Sequence, residues 1–129
     1  MGTINSFEEL KIWQEARGFA RDIYFLTEKE EFSKEFRFKE QIKSSSGSVV
    51  DNIAEGFERD GNKEFIQFLI IAKASAGETR SQLHRAFDAL LIDENTYKEF
   101  LEKALNISKS LSGFISYLRN SEIRGKRYK

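Results

Sequence analysis

The absence of proline constrains the fold of this chain more than any other feature of its sequence. Proline costs about 3 kcal/mol inside a helix, and none occurs in the 129 residues. Charged residues make up 33% of the chain and hydrophobic residues 40%, a balance typical of long amphipathic helices. The sequence therefore predicts an all-α protein, and its length predicts a single domain over residues 1–129.

Hydrophobic periodicity divides the chain into four helical segments separated by short polar breaks. The predicted helices cover about residues 7–28, 33–58, 62–91 and 94–119, and a short basic tail follows at 120–129. Ser6, with Glu9 three residues later, predicts a capping box for the first helix, and Asp93 predicts the N-cap of the fourth. Because short connections force neighbours to run antiparallel, we expect an up-down-up-down antiparallel four-helix bundle.

A stripe of polar side chains runs along the second predicted helix, beside its apolar face. At about 100° per residue the stripe comprises Gln41, Ser45, Ser48, Asn52 and Glu55. These side chains lie at the margin of the core, where an unpaired polar group costs about 1–3 kcal/mol. We interpret the stripe as an interhelical hydrogen-bond seam; the alternatives are a ligand or nucleic-acid contact and, last, catalysis.

Three glycines stand out within the predicted helices. Gly56 lies near the end of the second helix, where glycine commonly closes a helix. Gly47 and Gly77 lie inside helices, where each costs roughly 1 kcal/mol relative to alanine. We expect these two to permit close approach of a neighbouring backbone.

The third predicted helix begins with the segment FIQFLIIA, which is apolar around most of its circumference. Ile66, Ile70 and Ile71 fall away from the main apolar stripe, and a single core cannot bury them all. A small protein with such a helix needs a second covering surface. We expect these three residues to form the interface of a homo-oligomer.

The residue types needed for common catalytic and metal sites are sparse. The chain has no cysteine, which excludes disulfides and thiol chemistry, and its only histidine, His84, lacks a glutamate three residues earlier. Glu55 and Glu78 are expected to face each other across two helices, but two carboxylates alone define no reaction. No glycine-rich phosphate loop is present. We expect no enzymatic activity, no metal and no cofactor.

The sequence lacks the features of a membrane-spanning or secreted protein. No apolar run approaches the roughly 18 residues that span a bilayer, and the N-terminal segment carries acidic residues where a signal peptide is basic and then apolar. The absence of cysteine suits a reducing compartment. We therefore expect a cytoplasmic protein without a membrane partner.

Positive charge is concentrated at the C-terminus. Residues 119–129 hold five of the 21 basic residues and one acidic residue, leaving 16 basic and 20 acidic residues before them. Basic residues interleaved with an aromatic, here Tyr128, suit phosphate neutralisation and base stacking. The candidate nucleic-acid contacts are Lys43, Arg59, Lys63, Arg119, Arg124, Lys126, Arg127 and Lys129.

Several segments resemble a known protein family. FEELKIWQEA near the N-terminus, Gln41-Ile42, NIAEG at residues 52–56 and EFIQFLIIA resemble four-helix bundle proteins encoded in intervening sequences of 23S ribosomal RNA genes. The resemblance covers about residues 7–118. Distant relatives act as accessory proteins of diversity-generating retroelements. Where the family often has a basic pair after Gln-Ile, this chain has Lys43 and Ser44.

The resemblance implies a homopentamer, a role in binding nucleic acid and no known enzymatic activity. Two function classes remain open. One is an oligomeric scaffold associated with structured RNA, such as ribosomal RNA, through basic clusters. The other is a protein-interaction scaffold that docks a partner such as a reverse transcriptase.

Overall fold

The computed structural model describes residues 4–124, and this part of the chain is helical throughout apart from short connections. A short 3₁₀ turn at Phe7–Glu9 precedes five α-helices. The helices are α1 (Lys11–Thr27), α2 (Glu30–Lys34), α3 (Phe36–Phe57), α4 (Asn62–Asp88) and α5 (Glu94–Arg124). The prediction of an all-α protein is confirmed.

The four long helices share one apolar core. Helix α3 packs against α1 and α4, and α5 packs against α4 and α1. All four contribute fully buried apolar side chains: Ile23, Ile42, Val49, Ile53, Leu69, Leu83 and Leu111. Within residues 4–124, none of the helices combines the length and apolarity needed to cross a bilayer.

The first helix begins later than predicted. Ser6 precedes the 3₁₀ turn and makes no side-chain capping hydrogen bond, so the predicted capping box is wrong. Leu10 separates the turn from α1 because its backbone is extended and its side chain is buried in the core. Glu9 instead accepts a hydrogen bond from the backbone N–H of Asn5. The apolar anchor at Leu10 therefore decides where α1 can start.

The connection between α1 and α3 contains a helix that was predicted as a break. Helix α2 occupies residues 30–34, and its Phe32 side chain is fully buried against the partly buried ring of Phe38. The second long helix accordingly begins at Phe36 rather than near residue 33. One buried aromatic in an otherwise polar segment is enough to fix this short helix to the core.

Helix α4 ends three residues earlier than predicted. Leu90 adopts a left-handed conformation with φ 63°, and its N–H donates to Phe87 O. The N–H of Leu91 donates to Ala86 O at 2.9 Å, which completes a Schellman-type helix end.

Asp93 then caps α5 as predicted, because its carboxylate accepts a hydrogen bond from the Thr96 N–H at 2.8 Å. This hydrogen bond also lowers the pKa of Asp93.

Helix α5 is longer than predicted. Among the side chains that the structure describes, the last core residue is Leu118, but the helix continues to Arg124 instead of ending near Arg119. The predicted tail at 120–129 therefore begins as helix, and residues 125–129 lie outside the described chain. No proline or glycine interrupts the sequence between Gly113 and Gly125, so the helix has no local reason to stop where its core contacts stop.

The structure reverses the expected roles of the glycines. A Cβ at Gly47 or Gly77 would meet no atom within 4 Å, so the predicted close backbone approach at these positions is wrong. The close approach occurs at Gly56, where a Cβ would lie 2.6 Å from Phe68 Cβ and 3.3 Å from Phe65 O. Gly56 lies within α3 rather than terminating it, and its lack of a side chain lets α4 pack directly against it.

Alanine substitutions should separate these two kinds of glycine. We expect Gly56→Ala to lower the free energy of unfolding by about 1–3 kcal/mol, because neighbouring backbone must move to admit a methyl group. The matched controls, Gly47→Ala and Gly77→Ala, should each raise it by about 0.5–1 kcal/mol through helix propensity. Urea denaturation measures all three, and an equal effect at the three sites would contradict this account of the packing.

Candidate functional site

A buried polar seam joins α3 to α4. Ser45 Oγ lies 2.7 Å from both Thr79 Oγ1 and Gln82 Oε1, and all three side chains are buried. Ser45 donates its hydroxyl hydrogen to the Gln82 carbonyl and can accept one from Thr79. The Gln82 amide in turn donates to Glu78 at 3.4 Å. The seam thus forms a chain of hydrogen bonds that starts in the core and ends at an exposed carboxylate.

A second cross-helix contact lies nearer the end of α3. Ser48 Oγ and Ser75 Oγ are 2.9 Å apart. Asn52 Nδ2 donates to the Ser48 carbonyl at 2.8 Å and to its hydroxyl at 2.9 Å. The Ser48 and Ser75 hydroxyls share one hydrogen bond, in which either can be the donor. Asn52 therefore orients the serine that crosses to α4 instead of crossing itself.

The two ends of the predicted polar stripe do not join this seam. Gln41 is exposed at the side of α3. Glu55 pairs with Arg59 on the surface of its own helix at 3.0 Å. The expectation that Glu55 faces Glu78 is wrong, because Ser48 already lies opposite Ser75 in the antiparallel pair. Glu55 thus falls opposite the start of α4, far along the helix from Glu78.

Two neighbouring buried serines provide a test of the seam. Ser45→Ala removes the donor to buried Gln82, and we expect a loss of about 1–3 kcal/mol in the free energy of unfolding. Ser46 is equally buried but donates only to carbonyls of its own helix, Ile42 and Lys43. Ser46→Ala should therefore cost less than about 1 kcal/mol. Equal losses in thermal or urea unfolding would show that the cross-helix bond contributes nothing specific.

Two of the predicted nucleic-acid cations are engaged within the protein. Lys43 Nζ lies 3.3 Å from Glu28 Oε2 and 4.2 Å from the centre of the Tyr24 ring. Hydrogen bonds from Lys39 and Lys43 lower the pKa of Glu28. Arg59 pairs with Glu55 and its guanidinium lies over the Phe68 ring. Lys43 therefore secures the connection between α1 and α3, which makes it a poor candidate for binding phosphate.

The remaining candidates that the structure describes lie where α4 begins and α5 ends, a region we call the basic end. Lys63 and Arg119 are exposed, and Arg124 closes the described part of α5. The start of α4 adjoins α5 because the Phe65 and Phe114 rings meet edge to face at 5.6 Å. Lys126, Arg127 and Lys129 lie outside the described residues.

Acidic side chains also occur at the basic end. Glu58, Asp60 and Glu64 surround the start of α4, and all three are exposed. They offset Arg59 and Lys63, so the excess of positive charge comes from the C-terminal part of α5 and the segment after it. Sequence composition located this excess, but the antiparallel packing of α4 against α5 was needed to place Lys63 beside it.

The three isoleucines proposed for an oligomer interface separate into two groups. Ile66 is 7% exposed and lies in the core, so the prediction that it faces outwards is wrong. The preceding residue, Phe65, is 8% exposed, so the two neighbouring side chains are both buried. Ile70 and Ile71 are 44% and 47% exposed. These two remain available on the outer face of α4.

The single histidine has a structural contact. His84 Nδ1 lies 2.8 Å from the Tyr97 hydroxyl, and Tyr97 also stacks on Phe87. Among residues 4–124, no group of three histidine, cysteine or acidic side chains is arranged to hold a metal ion. The hydrogen bond between His84 and Tyr97 therefore links α4 to α5.

These features define a small all-helical protein with a buried hydroxyl seam and a basic end. The chain belongs to the family of 23S rRNA-intervening sequence proteins, whose model matches residues 8–113. This match confirms the family that the sequence motifs indicated.

A solved structure shares the fold. It is the crystal structure of a protein of unknown function from the S23 ribosomal protein family of Bacteroides thetaiotaomicron VPI-5482. The two chains are 26% identical and superpose with a TM-score of 0.76, over 81% of this chain and 95% of the other. No curated protein matches the chain significantly.

Proposed function

We propose that the protein is a non-enzymatic, cytoplasmic, oligomeric scaffold that associates with structured RNA, such as ribosomal RNA, through its basic end. The observation that carries this proposal is the extension of α5 beyond the core. Helix α5 continues to Arg124 past Leu118, the last buried residue among the described side chains, so the basic C-terminal segment starts on a helix that the core anchors further back. Cations held in this way meet a phosphate backbone without disturbing the fold.

Charge and position determine which residues serve this function. Arg119, Arg124 and the sequence that follows supply most of the positive charge, with Lys63 beside them. Arg59 contributes less because Glu55 neutralises it, and Lys43 is held by Glu28. Membership of a family named for 23S ribosomal RNA genes supports RNA over DNA as the ligand.

The proposed scaffold is an up-down-up-down four-helix bundle that assembles into a ring, most simply the homopentamer that the family resemblance implies. Ile70 and Ile71 support self-association because they are adjacent, apolar and exposed on one helix. A ring would repeat each basic end several times, which multiplies weak contacts with one RNA molecule.

Exposed apolar side chains also favour a second candidate function, a protein-interaction scaffold. Phe25, Phe36 and Leu90 are 59%, 71% and 83% exposed. Large apolar side chains exposed in this way suit a protein partner such as a reverse transcriptase. The RNA experiment below distinguishes the two functions.

RNA affinity should depend steeply on salt if the basic end binds phosphates. Each neutralised phosphate should contribute about 0.7–0.9 to the slope of log K against log salt concentration. Deleting residues 124–129 should flatten the slope and weaken binding to unrelated RNA sequences alike, since phosphate contacts do not specify sequence. Titration of labelled ribosomal RNA fragments at several salt concentrations measures both quantities.

The matched control removes charges far from the basic end. Lys34 and Lys98 are exposed lysines paired with nearby glutamates, and Lys34→Gln with Lys98→Gln should leave the salt slope unchanged. An unchanged slope after the deletion would remove the basic end from the mechanism. Complete absence of RNA binding at low salt would favour the protein-interaction scaffold.

Self-association should depend on the outer face of α4. Ile70→Glu combined with Ile71→Glu should shift the protein to monomers, because charged side chains would be buried in the interface. Leu105→Glu is the matched control, since Leu105 is 41% exposed on α5. Light scattering after size-exclusion chromatography measures the mass. A monomeric wild-type protein, or an unaffected double variant, would refute this interface.

A further inference from the structure

We propose that a groove beside the C-terminal half of α5 binds an unpaired purine of single-stranded RNA. This inference rests on the proposed RNA association and names the form of RNA that the basic end selects. The groove has a volume of about 550 Å³ and is mainly apolar. Ile4, Leu10 and Ile12 line it on the N-terminal side. Gly113, Phe114 and Tyr117 line it on the side of α5.

The aromatic rings in this groove suit stacking. Phe114 and Tyr117 lie almost parallel, with an interplanar angle of 12° and ring centres 6.2 Å apart. The Phe114 ring also makes an edge-to-face contact with the Phe65 ring. Tyr117 is 41% exposed, so part of its ring remains accessible to a base. Every base has a flat face that stacks on such a ring, and purines offer the larger one.

Gly113 gives the groove its depth. A Cβ at this position would meet no atom within 4 Å, so no packing within the chain requires glycine here. Glycine inside a helix lowers its stability relative to alanine. At Gly113 it leaves open space between Ser110, Phe114 and Tyr117 on the wall of the groove. A flat ring can approach the helix backbone closely at this one place.

Charged side chains at the rim match the polar parts of a nucleotide. Glu9 and Glu15 line the groove with carboxylates, which can accept hydrogen bonds from the amino group of adenine or guanine. Lys11 lies on the same rim and can pair with a phosphate. Uracil has no amino group and a smaller ring, so it fits this combination less well.

The face of α5 that lines the groove continues towards the basic end. Arg124 follows Tyr117 by seven residues, about two helical turns, which places its backbone on the same face of α5 about 10 Å further along. Arg119 lies about 200° around the helix from Tyr117, on another face. A strand with one base in the groove can therefore extend its phosphates along α5 towards the end of the described helix.

A second depression, between α3 and α4, is less suited to RNA. Glu40 and Glu78 line it together with Gln82 and Arg85, and no aromatic side chain does. Arg85 already lies over the Phe38 ring. This depression offers no aromatic ring for a base to stack on, so the groove on α5 is the better site for a base.

The test compares the binding of single-stranded and duplex RNA by the wild type and by variants of residues that line the groove. Fluorescence anisotropy with labelled oligo(A) of 12 residues, oligo(U) of the same length and an oligo(A)–oligo(U) duplex gives the affinities. We expect oligo(A) to bind about tenfold more tightly than either comparison ligand. Gly113→Leu fills the groove, and Tyr117→Ala removes the stacking ring. Each should weaken oligo(A) binding about tenfold without changing the salt slope.

Two controls separate this effect from misfolding. Tyr117→Phe keeps the ring and should retain the affinity, which distinguishes stacking from contacts of the hydroxyl. Ser112→Leu adds the same side chain as Gly113→Leu at an exposed position on the other flank of α5. It should bind like the wild type. Circular dichroism should show all four variants folded.

The outcomes distinguish this inference from the proposed function. Salt-dependent binding of ribosomal RNA fragments with no loss in Gly113→Leu would overturn the groove and leave the proposed function standing. Equal affinity for the duplex, or for oligo(U), would also overturn the groove. Groove-dependent binding of oligo(A) without binding of structured RNA would support the groove and refute the proposed function. No binding of either RNA would refute both.

Discussion

The packing of α3 against α4 is the contact on which the rest of the structure depends. Two features fix its register: the hydroxyl pairs at Ser45 and Ser48, and the direct contact of Gly56 with Phe68. Hydrogen bonds between buried side chains are directional, so a shift along the helix would leave several of them unpaired. Apolar packing alone tolerates such shifts better. The seam therefore gives these helices one alignment and, through α4, sets the position of α5.

The sequence predicted the large features of the fold because they depend on patterns that cover many residues. Four long amphipathic stretches without proline leave few alternatives to a helical protein, and the motif NIAEG indicated the family. Asp93 was predicted as a cap because its effect is local. The limits of the helices were less predictable. Leu10 and Phe32 override local signals because each is buried by residues distant in sequence.

The candidate site, like the fold, was predictable from the sequence only in part. Composition was sufficient to find the basic segment, since net charge needs no structure. It could not show that Lys43 is held by Glu28, because residues 15 positions apart meet only after the chain turns. The sequence also did not show which glycine lies against a neighbouring helix. Space around a Cβ depends on the neighbouring helix, which is why Gly56 and not Gly47 proved to be the crowded position. The groove of Gly113 and Tyr117 had no sequence signal beyond a glycine near an aromatic.

The extension of α5 beyond Leu118 has an evolutionary consequence. Leu118 is the last buried residue among the side chains that the structure describes, and the sequence after it is mostly polar or charged. The family match itself stops at residue 113, before the last turns of the helix. Natural selection can therefore change the charge and length of this segment while the shared helices stay the same.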